Sequence, residues 1–234
     1  MKLILGFEIK HTKHTRTRVH AYTHTIPIYY MSTILFSKKF IGKITSIIRK
    51  FWWAGIQEDN CFIGFHFRAW KDICRRKQEG GLGIRDLFTV NKSLILNAVW
   101  KIATGTNKFL SDIIKSKYYP DTSFWLSPNH STKSAFWASV TSVKKVLVDN
   151  CKVQVHKGNS SIWSTPWCDI WKEIYDHINL PVTVNKLPSR IADIWDNNNL
   201  RWNNDLVRLV FDREAADSIN KVKPVISNDD DKII

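Results

Sequence analysis

Residues 70 to 87 read WKDICRRKQEGGLGIRDL. An aromatic and a cysteine precede three consecutive basic residues, Arg75, Arg76 and Lys77. The glycines Gly80, Gly81 and Gly83 follow within four positions, and helical patterning resumes at Arg85. Three structures compete for such a stretch: a phosphate cradle, a metal site, or a bend between two helices. A phosphate loop needs glycines leading from a strand into a helix, at GK[ST] or GxGxxG spacing, so that amides converge on oxygen. Neither spacing is present, a short helix rather than a strand precedes the glycines, and Glu79 sits where an anion would be repelled. The four cysteines, Cys61, Cys74, Cys151 and Cys168, lie 13, 77 and 17 positions apart with no CxxC pair and no paired His at finger spacing, so a zinc site is poorly supported. The bend is left: a tight reversal in which glycine tolerates positive φ and the third glycine lets the next helix pack closely.

Helical periodicity extends on both sides of this turn. From Thr33 to Trp53 the residues Leu35, Phe36, Phe40, Ile44, Ile47, Ile48 and Phe51 recur at a period near 3.6, which predicts a helix with Lys38, Lys39 and Lys43 toward its margin and Gly55 ending it. Residues 61 to 67, CFIGFHF, read as a short strand or extended link. Arg85 to Thr104 carries Leu87, Val90, Leu94, Ala98 and Ile102 at helical spacing, and Lys108 to Tyr119 repeats the pattern. A Ser/Pro/Asn loop from Pro120 to Lys133 leads into a further helix, Ser134 to Val148, buried through Phe136, Val140, Val143 and Leu147.

The character changes at Asp149. KVQVH, a KGN turn and SSIW, residues 152 to 163, predict a β-hairpin because Gly158-Asn159 supplies the positive-φ positions of a tight turn. Short apolar pieces separated by Pro, Asn and Asp follow. The expected fold is therefore mainly α: a helical bundle, then a small α+β segment with a β-hairpin. Four regions are expected: a His/Thr/Arg-rich disordered tail over 1–25, a helical region over 26–148, a Trp-rich segment over 149–226, and an acidic tail over 227–234. Asp229, Asp230 and Asp231 read as a solvated acidic run. KHTKHTRTRVHAYTHT, residues 10 to 25, alternates Thr with His or Arg as a translated CA dinucleotide repeat does, and a metal role for His11 and His14 lacks a third ligand.

Charge points to the partner class. The chain has a formal net charge of +14 in 234 residues, with 21 basic against 7 acidic residues in the first 120 positions and 14 against 14 in the remainder. So one-sided a distribution implies a polyanionic partner, nucleic acid before membrane, with its footprint in the first half. The candidate phosphate contacts are Lys38, Lys39, Lys43, Lys71, Arg75, Arg76, Lys77 and Arg85. The competing reading of the 75–77 run is a solvated helix end favoured by the macrodipole. No apolar run approaches the roughly 18 residues of a membrane span, and MKLILGF is short for a signal peptide, so the chain reads as intracellular.

No catalytic signature is present. GxSxG, HExxH and a Cys/His nucleophile context are missing, and adjacent terminal carboxylates do not converge from a buried scaffold as metal-assisted chemistry requires. Base stacking on Trp52, Trp53, Trp100 or Trp137 competes with core packing within helical apolar patterns, and core packing is the expectation. Trp163, Trp167 and Trp171, at i, i+4 and i+8, read as anchors of a small core.

Several segments, IPIYYMS (26–32), IRKFWWAG (48–55), AWKDICRRKQEGGLGIRDL (69–87), Asn91 followed by a helix containing Trp100, KSKYYPD (115–121), VHKGNSSIWSTPW (155–167), IADIWD (191–196) and WNNDLVRLVF (202–211), resemble in unbroken order the C-terminal part of plant LINE-type, non-LTR retrotransposon reverse transcriptases. The family usually carries Pro-Lys where this chain has Arg76-Lys77. The resemblance implies the thumb and connecting segment that follow the catalytic palm of an RNA-directed DNA polymerase. The family's metal-binding carboxylate motif lies upstream of the segment matching IPIYYMS, so no catalytic residue, no metal ligand and no cofactor is carried over, and no polymerase activity is expected. The implied role is non-catalytic backbone binding to a template and primer duplex, in the nucleus more than the cytoplasm, with self-association through surface that the palm would cover. Two alternatives stand beside it: a degraded transposon product with no present role, and a domesticated protein-interaction module using exposed Trp residues.

Overall fold

A polar side chain just before the apolar pattern sets where all but the shortest of the α-helices described below begin. The computed structural model describes residues 28–54, 68–128, 133–179, 187–196, 201–225 and 227–234. The chain forms two units, Met1–Ala98 with Ser134–Val140, and Val99–Lys133 with Thr141–Ile234. The 1–25 tail with His11 and His14, Gly55, Cys61 and the 61–67 link lie outside the described residues.

In the first unit, helix α1 spans Lys38–Ala54. It starts later than the apolar pattern predicts. The Ser37 hydroxyl accepts the Phe40 N–H at 3.2 Å, and the Ile41 N–H closes the first turn on the Ser37 carbonyl at 3.0 Å. Leu35 and Phe36 share the helical spacing but belong to an irregular segment whose backbone is taken up elsewhere. The Leu35 N–H donates to the Ser139 hydroxyl at 2.8 Å and the Phe36 N–H to the Asn91 carboxamide oxygen at 2.8 Å. That same carboxamide donates to the carbonyls of Met31 and Ile34 at 2.7 and 2.8 Å. Asn91 is fully buried, and burial of so polar a group is tolerable because both ends of the amide are satisfied.

Helix α2, Trp70–Ile73, is a single turn, and a 3₁₀ turn at Lys77–Glu79 follows. Helix α3 spans Leu87–Thr104. Asp86 opens it by accepting the Thr89 N–H at 2.9 Å and the Thr89 hydroxyl at 2.8 Å. Asn91, Ile95, Val99 and Ile102 are its buried residues, spaced four, four and three apart as one helical face requires.

In the second unit, α4 spans Lys108–Tyr118 under an Asn107 cap that accepts the Leu110 N–H at 3.1 Å. Helix α5, Ala135–Asn150, begins in the first unit, where the Ser134 hydroxyl accepts the Trp137 N–H at 3.1 Å, and ends in the second. Its buried residues Trp137, Val140, Val143 and Leu147 again follow helical spacing. Helices α6, Asn204–Val210, and α7, Arg213–Lys221, are capped by Asn203 and Asp212. They pack around Val207, Val210, Phe211, Ala215 and Ile219, each at most 1% exposed.

Two small antiparallel sheets complete this unit. β2, Trp195–Asp196, pairs with β3, Arg201–Trp202, the next strand in sequence, with Trp195 opposite Trp202. β1, Val153–Gln154, pairs with β4, Lys232–Ile233, with Val153 opposite Ile233. The architecture is thus mainly α with a small α+β segment containing a β-hairpin.

The hairpin does not lie at 152–163. Gly158 does adopt positive φ, +70°, but the chain around it wraps a carboxylate instead of folding back as a ladder. Asp231 accepts the backbone N–H groups of His156 at 2.7 Å, Gly158 at 2.9 Å and Ser160 at 2.8 Å, and its own N–H donates to the Asn159 side chain at 2.9 Å. With those donors occupied, the strand edge at Val153 is paired by the 232–233 backbone. The expectation that all three aspartates are solvated is corrected accordingly: Asp229 and Asp230 are exposed, whereas Asp231 organises a loop more than 70 residues earlier in the chain.

Three tryptophans of this unit, Trp163, Trp167 and Trp202, match their indole N–H groups to carbonyls. Trp167 and Trp171 are buried. Trp167 donates to Ile162 at 2.8 Å, Trp202 to Val222 at 3.0 Å, and the half-buried Trp163 to Pro188 at 2.7 Å while stacking on Tyr175. A buried indole needs such a partner.

Candidate nucleic-acid interface and a lysine cleft

Hydrogen bonding along the backbone shapes the cationic turn. After α2, the chain doubles back so that the Leu82 N–H donates to the Ile73 carbonyl at 2.9 Å, Gly81 to Arg76 at 3.1 Å and Gly83 to Arg75 at 2.8 Å. Gly80 closes the 3₁₀ turn at φ +81° and Gly83 sits at φ +70°, a region costly for any residue with a Cβ. Gly81 has a different reason: a Cβ there would collide with the Arg75 carbonyl oxygen. The glycines therefore fold one strand of chain tightly against the backbone of residues 73–76. Those carbonyls are consumed, and the side chains of Arg75, Arg76 and Lys77 are left in solvent.

All eight candidate cations are exposed and belong to the first unit. Lys38, Lys39 and Lys43 occupy the first turns of α1; Lys71, Arg75, Arg76 and Lys77 surround the glycine turn; Arg85 stands just before α3. Among the described residues only Arg75 of the eight meets a carboxylate, Asp72 at 3.2 Å, while the Lys38 ammonium lies 5.6 Å from the centre of the Phe88 ring. Exposed cations without carboxylate partners are free to exchange water and counterions for phosphate oxygen.

Carboxylates, thiols and histidines form no comparable constellation. No group of three or more His, Cys, Asp or Glu side chains placed to hold a metal occurs among the described residues. Burial pushes the Cys168 thiol up to about 12 and raises Cys74 and Cys151 as well, which disfavours the thiolate that nucleophilic chemistry needs. No helix among the described residues is long and apolar enough to cross a membrane.

The second unit contains a cleft of about 320 Å³ that sequence patterning did not indicate. Lys144, Lys145 and Lys172 line it together with Trp125, Ser127 and Asp149. The Lys144 ammonium donates to the Ser127 hydroxyl at 2.8 Å and to the Ser127 carbonyl at 3.1 Å, and lies 5.2 Å from the centre of the Phe124 ring. Burial, reinforced by the positive charge of Lys172, pulls its pKa down to about 8. Lys144 and Lys145 are neighbours on α5, but Lys172 comes from a turn 28 positions further on, so no local pattern joins them.

Comparison with known proteins adds plant relatives. The chain is 29% identical over 157 residues to "Uncharacterized mitochondrial protein AtMg00310" of Arabidopsis thaliana, a match covering 67% of this chain and 97% of that protein. It is 29% identical over 127 residues to "Putative ribonuclease H protein At1g65750" of Arabidopsis thaliana, covering 53% of this chain and 20% of that protein. The chain thus spans nearly all of the first relative's length and about a fifth of the second's. No family model matches the chain, and no solved structure matches it significantly.

Proposed function

We propose that this chain is a non-catalytic fragment of a plant LINE-type retroelement polymerase, its first unit derived from the thumb, and that this unit binds nucleic-acid backbone without reading sequence. One observation carries the reading: eight exposed cations in a single unit, on α1, around the glycine turn and just before α3, with one carboxylate among the described residues engaging any of them. Phosphate contacts of this type position a duplex and contribute affinity, but carry no base information. Similarity to a protein whose name denotes action on RNA supports a nucleic-acid partner. A nuclear location and self-association through surface otherwise covered by a palm follow from the same reading.

Fluorescence anisotropy with a labelled mixed-sequence duplex tests it. If four to eight of these cations engage phosphate, log K should fall with log salt at a slope of about −4 to −7, and Arg76→Glu with Lys77→Glu should reduce that slope by about 2. Binding that is undetectable at low salt, or indifferent to salt, would refute the proposal. Primer extension by the purified chain on a homopolymer template should give no product with or without divalent metal.

A further inference from the structure

The cleft beside Lys144 has more positive charge than its structural role explains. Three ammonium groups and one carboxylate, Asp149, line it, and none of the three lysines lies within 4.0 Å of a carboxylate oxygen among the described residues. Like charges gathered in a partly desolvated recess repel one another and lose hydration, which is unfavourable unless something offsets it.

One of the three lysines is held in place. Ser127 anchors Lys144 through two hydrogen bonds, and the Ser127 hydroxyl in turn donates to the Phe124 carbonyl at 2.8 Å. Its proton is therefore committed, and the third Lys144 N–H is the one left for a ligand. Lys145 and Lys172 are exposed, flexible point charges that can close on the same group. The cleft volume lies at the small end of the range for ligand pockets, about 300–1,000 Å³.

From this geometry we infer that the Lys144–Lys145–Lys172 cleft is a phosphate-binding site, taking two negative charges either as the phosphate monoester of a small compound or as two successive phosphodiesters of a nucleic-acid backbone. Three cations against one anion match a doubly charged group better than a carboxylate. The lysines surround it as point charges, without the planar fork by which arginine grips a carboxylate. The inference does not rest on the cationic turn of the first unit, and either can fail alone.

Isothermal titration of the full chain with three probes tests it: inorganic pyrophosphate, adenosine monophosphate and a short single-stranded oligonucleotide. Saturable 1:1 binding of pyrophosphate or adenosine monophosphate is expected, and Lys145→Glu with Lys172→Glu should weaken it at least tenfold, whereas Lys115→Glu with Lys223→Glu, exposed lysines outside the cleft, leaves it unchanged. Pyrophosphate should also shield Lys144 from an amine-acylating reagent, read by mass spectrometry. Binding of the small phosphates alone identifies a free compound as the source; oligonucleotide binding that the Lys145/Lys172 reversal weakens identifies backbone. No saturation by any probe up to about 10 mM, which excludes affinities in the millimolar class, overturns the inference. So does pyrophosphate or adenosine monophosphate binding that survives the Lys145/Lys172 reversal, or a Lys144 label unaffected by pyrophosphate.

Discussion

Replacing Asp231 by Ala removes one carboxylate and leaves three backbone N–H groups, at His156, Gly158 and Ser160, without their acceptor. Hydrogen bonds to a charged acceptor contribute about 1.5–3 kcal/mol each, which sets an upper limit of about 9 kcal/mol for the three. His156 and Ser160 are only half-buried, so water recovers much of that, while Gly158 is buried and recovers less. An expected destabilisation of about 2–4 kcal/mol follows. Asp231→Asn keeps an oxygen but loses the charge and a second acceptor, and should cost about half as much. Asp230 is the control. It faces Lys157 at 3.8 Å with both side chains exposed, so its removal should change stability by less than about 0.5 kcal/mol. Urea unfolding followed by tryptophan fluorescence reads the difference: with a slope of about 2 kcal/mol/M, Asp231→Ala should lower the midpoint by about 1–2 M. Amide exchange at 156, 158 and 160 should accelerate together. A midpoint for Asp231→Ala equal to that of Asp230→Ala would refute the reasoning and return the acidic run to solvent.

Four other substitutions address three separate parts of the structure. Asn91→Leu leaves the Phe36 N–H and the Met31 and Ile34 carbonyls unanswered and should destabilise the first unit by about 3 kcal/mol or more, measured by calorimetry. Gly81→Ala drives a methyl into the Arg75 carbonyl and should cost about 1–3 kcal/mol, while also weakening duplex binding by re-aiming Arg75 to Lys77. Gly80→Ala, with open space but φ +81°, should cost about 1 kcal/mol. The hydrogen bond from the His177 ring to Asp212, 2.9 Å, raises the His177 pKa above 6.5. Because the folded pKa is the higher one, this pairing stabilises fully below pH 6.5 and its contribution is lost as pH rises through the folded value. In Asp212→Asn, NMR titration should find the His177 pKa back near 6.5 and the pH dependence flattened.

Helices were legible wherever an apolar stripe and a cap agreed. Asp86, Asn107 and Ser134 each stand directly before such a stripe, and α3, α4 and α5 begin where those caps place them. α1 was misjudged by five residues because Leu35 and Phe36 continue the period; the deciding groups, Ser139 and Asn91, are 104 and 55 positions away. The turn at Gly158-Asn159 invited a local hairpin for the same reason: the partner that organises it, Asp231, is 73 positions from Gly158. Composition alone located the cations of the first unit, since exposure is the default for Lys and Arg. The lysine cleft was hidden because its charges come from α5 and from a turn that no periodicity relates to it.

Asn91 also bears on the order in which the first unit assembles. Its carboxamide meets backbone groups 55 to 60 positions earlier, and closing a loop of that size costs about 4 kcal/mol in chain entropy before any contact is made. Residues 32–36 are turn and irregular backbone. The expected order is that they dock after α3 has formed and presented the amide. Substitution at Asn91 should then leave the folding rate nearly unchanged and quicken unfolding, so that residues 32–36 are the part that lets go first.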